Sequence, residues 1–143
     1  MTPLELARKE WENITVRAPK THFRYRKPIT HEFRKYRQAL AWLDFDGGYI
    51  EIVKLETLEA GRGGPTKLLE VLKDIARRYG VRITGGVRAY KPDGPVPAGK
   101  LLSQSELEEW YHRLGFQLVR EKCGVILWYP GAPYPNCAVG AEV

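Results

Sequence analysis

The stretch that most constrains this chain runs from Tyr49 to Gly80, YIEIVKLETLEAGRGGPTKLLEVLKDIARRYG. Its opening residues are crowded with Tyr, Ile and Val, which favour a pleated, largely buried strand. From Thr66 the period changes. Leu68, Leu69, Leu72, Ile75, Ala76 and Tyr79 recur every three or four residues and predict one apolar helical face. Gly80 supplies the residue that takes a left-handed conformation and stops a helix. A strand entering a helix through glycines leaves backbone N–H groups at the positive end of the helix dipole, where proteins hold phosphate. A tight strand-to-helix turn also needs glycine for its own geometry, so the loop carries a structural reading beside the phosphate one.

A chain of 143 residues predicts one domain, able to bury roughly 68% of the surface its unfolded form exposes. With 43% apolar and 28% charged residues, the composition is that of a globular protein and excludes a disordered or fibrous one. No apolar run approaches the ~20 residues needed to span a bilayer. The opening MTPLELARKEWENI lacks the uncharged apolar core of a signal peptide, so a cytoplasmic protein with no membrane partner is expected. Cys123 and Cys137 are too few for a disulfide framework and read as free thiols. His22, His31 and His112 are scattered, with no metal-ligand spacing, so no metal is expected.

Along the chain, Thr2-Pro3-Leu4-Glu5 forms a capping box, and Leu4, Ala7, Trp11 and Ile14 predict a helix to about Asn13. Residues 15–30, broken by Pro19 and Pro28, predict a strand or extended loop. Thr30 to Tyr36 reads as a helix turn or the start of the next strand. Gln38–Phe45 predicts a strand, and Asp46-Gly47-Gly48 a tight hairpin turn into the organising strand. After the central helix, Val81–Tyr90 predicts a strand weakened or bulged at Gly85-Gly86. Residues 91–100, KPDGPVPAGK, are too rich in Pro and Gly for regular structure. Ser103-Gln104-Ser105-Glu106 is a second capping box and starts a late helix with Leu107, Trp110, Tyr111 and Leu114 inward, ended by Gly115. Gln117–Arg120 and Cys123–Tyr129 predict two strands around a turn at Glu121-Lys122. The tail from Pro130 to Val143 reads as irregular. This order implies an α/β fold, a central mixed sheet flanked by helices in a single domain.

Two stretches of this layout resemble the GNAT superfamily of acyl-CoA-dependent N-acetyltransferases. One is Glu51 to Leu69, similar to that family's central strand, pyrophosphate loop and following helix. The other is Leu101 to Phe116, LLSQSELEEWYHRLGF, similar to its late helix with an aromatic-Tyr pair and a Leu-Gly-Phe ending. The likeness covers roughly residues 38–129, a core between a basic N-terminal region, 1–37, and the tail. It implies a GNAT-like fold with acetyl-CoA held by Gly61, Arg62, Gly63, Gly64 and Thr66.

The family's loop reads Arg/Gln-x-x-Gly-x-Gly/Ala, and here Ala60 and Pro65 stand at its first and last positions. Ala60 has no side chain to reach a phosphate, and Pro65 has no N–H to donate. Each lost charge-assisted hydrogen bond is worth ~1.5–3 kcal/mol, about ten- to a hundredfold in affinity. Pro65 is also a good first-turn helical residue. Tyr111 aligns with the tyrosine that in many family members protonates the departing coenzyme A thiolate, and equally suits the apolar face of its helix. Glu51 and Glu56 lie on the strand where the family often places a general base for the attacking amine. Their odd spacing predicts opposite faces, so at most one is expected to face a site, with Glu51 favoured by the alignment.

The net charge of +6 is uneven. Arg17, Lys20, Arg24, Arg26, Lys27, Arg34, Lys35 and Arg37 face one acid, Glu32, over residues 17–37, leaving the rest of the chain close to neutral. With Phe23, Tyr25, Phe33 and Tyr36 interleaved, this segment suits nucleic acid, an acidic protein surface or a solvated face. Many charges with one Met, two Asn and three Gln also suit a thermophilic source. Two functions follow. The first is transfer of an acetyl group from acetyl-CoA to a primary amine. The second is a GNAT-like binding protein that has lost catalysis, such as a regulator or a phage effector that clamps a host machine, RNA polymerase among them, through residues 17–37.

Overall fold

Helix formation begins where the capping residues predict it. In the computed structural model, which describes residues 1–18, 33–57, 63–89 and 102–132, helix α1 (Pro3–Ile14) opens on a complete capping box. Thr2 Oγ1 accepts from the Glu5 N–H at 3.1 Å, and Glu5 Oε1 accepts from the Thr2 N–H at 3.0 Å. Ala7 and Trp11 are buried, whereas Ile14 at the last turn is exposed.

Strands β1 (Val16–Arg17), β2 (Arg34–Tyr36), β3 (Ala39–Asp44) and β4 (Ile50–Thr57) follow, then helix α2 (Gly64–Tyr79). These elements form one compact unit, Met1–Val81. Its strands pair antiparallel in the order β1-β2-β3-β4. The open alternative at Thr30 to Tyr36 resolves as strand over its described end, and Arg37, at φ 52°, turns the chain into β3. A left-handed arginine carries no sequence signal, which is why the predicted strand from Gln38 starts one residue late.

The apolar stripe on α2 is the core of this unit. Leu68, Leu69, Leu72, Ile75 and Ala76 are all fully buried, as are Ala39, Ala41 and Ile50 on the strands. Burying each leucine or isoleucine among them stabilises by about 1.5–3 kcal/mol. Gly80, left-handed at φ 66°, ends the helix with its N–H donated toward the Ala76 and Arg77 carbonyls, as its sequence position predicts. The helix starts at Gly64 rather than Thr66, because Pro65 fits the first turn without needing a donor. Glu10 on α1 accepts two bonds from Arg78 and one from Tyr79 at 2.7 Å, which ties the two helices together.

The second compact unit, Arg82–Val143, contains β5 (Ile83–Val87), α3 (Gln104–Arg113), β6 (Gln117–Glu121) and β7 (Gly124–Tyr129), with strand order β5-β7-β6, again antiparallel. The bulge expected at Gly85-Gly86 is absent. Gly85 pairs with Leu127 and Gly86 with Ile126 in unbroken register, since a ladder uses backbone groups that glycine retains. The turn between β6 and β7 falls at Lys122-Cys123, one residue later than expected, with Gly124 at φ 130° closing it. Ser103 and Glu106 cap α3 reciprocally, and Gly115, at φ 94°, follows its end. Ile83, Val87, Tyr111, Phe116 and Leu127 are buried in this unit. Among the described residues, seven strands and three helices make a mixed α/β fold.

Candidate functional site

The carboxylates of β4 are arranged differently from the alternation rule. Trp42 pairs with Lys54 and Leu43 with Ile52, so Val53 has no partner and β4 carries one extra residue there. Glu51 lies opposite Asp44, and Glu56 opposite Leu40. Asp44 and Leu40 are four apart on an unbulged strand and share a face, so Glu51 and Glu56 share it too. The opposite-face expectation is therefore overturned by the extra residue, which restores even parity between the two glutamates. The same register puts Trp42 and Lys54 with them, and Phe33 packs its ring 5.9 Å from that of Trp42. The other face carries Ala39, Ala41, Leu43, Ile52 and Leu55. Glu51 is exposed and Glu56 half-buried.

At the start of α2, Gly63 is the N-cap in the left-handed conformation, φ 66° and ψ 22°, and as glycine it offers no side-chain acceptor. The Lys67 N–H reaches the Gly63 carbonyl at 3.1 Å, so the helical ladder begins with Lys67. The N–H groups of Gly63, Gly64 and Thr66 precede that ladder at the positive end of the helix dipole, and Pro65 interrupts them. Ala60, Gly61 and Arg62 lie outside the described residues, so of the expected loop the structure describes only the residues from Gly63 onward. Gly64 has a packing reason of its own. A Cβ there would lie 2.6 Å from the Gln38 carbonyl oxygen and 2.7 Å from its carbon, so the turn between β2 and β3 presses directly on the helix start.

Tyr111 belongs to the second unit and is 6% exposed, which makes it a core residue. Its ring meets Trp110 at 4.9 Å and Phe116 edge-on at 5.6 Å, and Phe116 continues the stack to Tyr129. Burial pushes its phenol up to about 12, so the proton stays in place through the physiological range. The buried O–H is therefore a hydrogen-bond donor at physiological pH.

One cation of the basic segment has a structural task. Arg34 Nε donates to Thr15 Oγ1 at 2.7 Å, and its Nη2 donates to the carbonyls of Thr15 at 3.1 Å and Glu12 at 3.0 Å. It satisfies the carbonyl end of α1, the end that favours a cation. Arg17, Lys35 and Arg37 are exposed, while Lys20, Arg24, Arg26 and Lys27 lie outside the described residues. Cys123 is an exposed free thiol, and Cys137, His22 and His31 lie outside the described residues. Among the described residues no group of three or more His, Cys, Asp or Glu is placed to hold a metal ion, and no helix is long and apolar enough to cross a membrane.

Sequence reading passed over Gln104. Its carboxamide takes the Ala89 N–H and gives to the Val87 carbonyl, beside a further bond to Glu108. The only sequence signal for it was a place inside a capping box, which names Ser103 and Glu106 instead.

No protein-family model and no curated protein matches the chain. Among solved structures, it is similar to the crystal structure of the anti-CRISPR protein AcrVA5, with a TM-score of 0.51 at 21% sequence identity, over 66% of this chain and 93% of that chain. At that identity the likeness concerns the fold. The mixed α/β architecture fits the GNAT-like fold that the two sequence stretches imply.

Proposed function

We propose that this chain is an acetyl-CoA-dependent N-acetyltransferase acting on a primary amine. The observation that carries the reading is the passage from β4 into α2 through the left-handed Gly63, which leaves the Gly63, Gly64 and Thr66 amides at a helix N-terminus that has no side-chain cap. In this reading those amides, with Gly61 and Arg62, hold the pyrophosphate. Glu51 or Glu56, directly or through water, takes the proton from the attacking amine. The nitrogen adds to the thioester carbonyl, the C–N bond forms, the C–S bond breaks, and the sulfur leaves toward the Tyr111 hydroxyl, which donates to it. Ala60 and Pro65 remove two of the family's phosphate contacts, so cofactor affinity is expected in the micromolar range or weaker.

The test is calorimetric titration of acetyl-CoA, with desulfo-CoA and ATP as controls. Micromolar binding that Gly63→Asp abolishes supports the phosphate loop. Aspartate suits this substitution because it tolerates a left-handed backbone while placing a negative charge at the loop. Absence of heat at millimolar cofactor from folded protein overturns the reading.

One specific observation favours a second reading. The similar structure is that of an anti-CRISPR protein, so a GNAT-like effector that binds a host machine through its basic N-terminal region is the alternative. Its partner surface would be an acidic protein or nucleic acid meeting residues 17–37. Affinity pulldown at low and high salt separates the two, because only the effector reading requires a salt-sensitive macromolecular partner.

A further inference from the structure

In the second unit, β5 ends at Val87, and the described residues resume at Leu102, just before α3. The side chain of Gln104, the first residue of α3, meets the departing backbone at two points. Its Oε1 accepts from the Ala89 N–H at 2.8 Å, and its Nε2 donates to the Val87 carbonyl at 2.9 Å. A carboxamide is a planar donor–acceptor pair, so it mimics a strand residue and satisfies both backbone groups where the ladder with β7 stops. Nε2 also gives its second hydrogen to Glu108 Oε2 at 3.0 Å, and Glu108 Oε1 accepts from Arg120 on β6 at 2.9 Å. One chain of bonds therefore runs from the end of β5 through one turn of α3 to β6. Residues seven apart on a helix lie nearly above one another, so Gln104 and Tyr111 occupy the same face of α3.

We propose that Gln104 is a positioning residue for Tyr111, fixing the rotation and height of α3 against β5 and thereby where the phenol is presented. The inference rests on the reading of Tyr111 as the donor to the leaving sulfur. A two-point bond sets rotation about the helix axis as well as separation, adding to the packing of the half-buried Leu107 and Trp110. A hydroxyl presented an ångström out of line forfeits roughly a hundredfold in rate. Cofactor affinity depends on the amides of α2, in the other unit, and is left untouched.

Gln104→Met keeps the length of the side chain and removes both backbone bonds. Expected in acetyl-CoA turnover is a fall in kcat of roughly ten- to a hundredfold, with the calorimetric Kd for acetyl-CoA unchanged. Gln104→Glu supplies the acceptor but lacks the donor while ionised. Its rate relative to the parent protein, measured at each pH, is expected to recover as the introduced carboxyl group protonates and regains an O–H for Val87. A residue that serves stability alone would not produce that pH profile. Tyr111→Phe separates the two claims. If it leaves kcat unchanged, the donor reading itself is wrong. If it lowers kcat while Gln104→Met does not, the positioning role is wrong and the donor reading stands. Where the parent protein transfers no acetyl group, tyrosine ring resonances assigned with Tyr111→Phe decide. Titration of Tyr111 shifted in Gln104→Met supports the positioning contact, and unchanged titration overturns it.

Discussion

Arg34 and Gly64 show how a residue's type is set by its neighbours more than by its motif. Arg34 lies in a segment whose charge suggests a partner surface, yet its guanidinium makes three bonds to the last turn of α1. Arg34→Met is expected to cost about 1.5–3 kcal/mol in a urea titration, since carbonyls shared with a charged donor lose it. Any partner-binding test by charge reversal should therefore use Arg24, Arg26 and Lys35 and leave Arg34 in place. Gly64 belongs to a motif read as phosphate-binding, yet the Gln38 backbone already forbids a side chain there. Gly64→Ala is expected to destabilise by about 1–3 kcal/mol, because a backbone contact at 2.6 Å has no flexible atom to move aside. Gly86→Ala makes the contrast. Nothing lies within 4 Å of its added methyl, so the urea midpoint should stay put or rise. Phenol burial at Tyr111 has its own signature. A folded value of about 12 against an ordinary 10 gives stability that is full below pH 10 and fades as pH climbs toward 12. Alkaline unfolding should accordingly be less steep in Tyr111→Phe.

At the scale of elements, the clamp between α1 and α2 sets the acid response of the first unit. Arg78, then Tyr79, holds the Glu10 carboxyl below its ordinary 4.5, while burial opposes them. Glu10 in turn holds the Tyr79 phenol above its ordinary 10. A depressed carboxylate contributes stability above 4.5 that disappears as pH falls through its folded value, and the raised phenol contributes below 10 and fades as pH rises. Thermal midpoints of Glu10→Gln and the parent protein should thus differ across roughly pH 5 to 9 and converge under acid. Arg78 is 46% exposed on its side chain, so the gap is that of a solvent-screened pair, on the order of 2–4 °C. The capping boxes at Thr2 and Ser103 and the αL stop at Gly80 were legible because each is a local rule spanning three or four residues. The extra residue at Val53 was not, because pairing register is a relation between two strands and β4 alone contains no trace of it.

For the whole molecule, charge distribution is the property most open to test. Residues 17–37 carry +7 and the rest of the chain −1, giving the net +6, and a partner drawn to that segment must be acidic. Reversing Arg24, Arg26 and Lys35 together should abolish salt-sensitive capture of such a partner and leave the thermal midpoint within a degree or so, on the order of surface substitutions. Unchanged capture would remove the effector reading. The acetyltransferase reading stands on separate ground, since Gly63→Asp should act on cofactor heat and not on partner capture. Its residues are divided, with Glu51, Glu56 and the α2 amides in Met1–Val81 and Tyr111 in the second unit.

By itself the sequence determined which segments are helices, where α1 and α3 are capped, where α2 stops, and which stripe of α2 is buried, because periodicity and capping are written within a few consecutive residues. It also determined the mixed α/β class of fold, through the order of those elements. Only the tertiary structure decided that Glu51 and Glu56 share a face, that Arg34 serves α1, that Gly64 is held by Gln38, and that Gln104 ties α3 to the end of β5. Each of these is a contact between residues far apart along the chain, and the free energy that selects it exists only once both partners have been brought together.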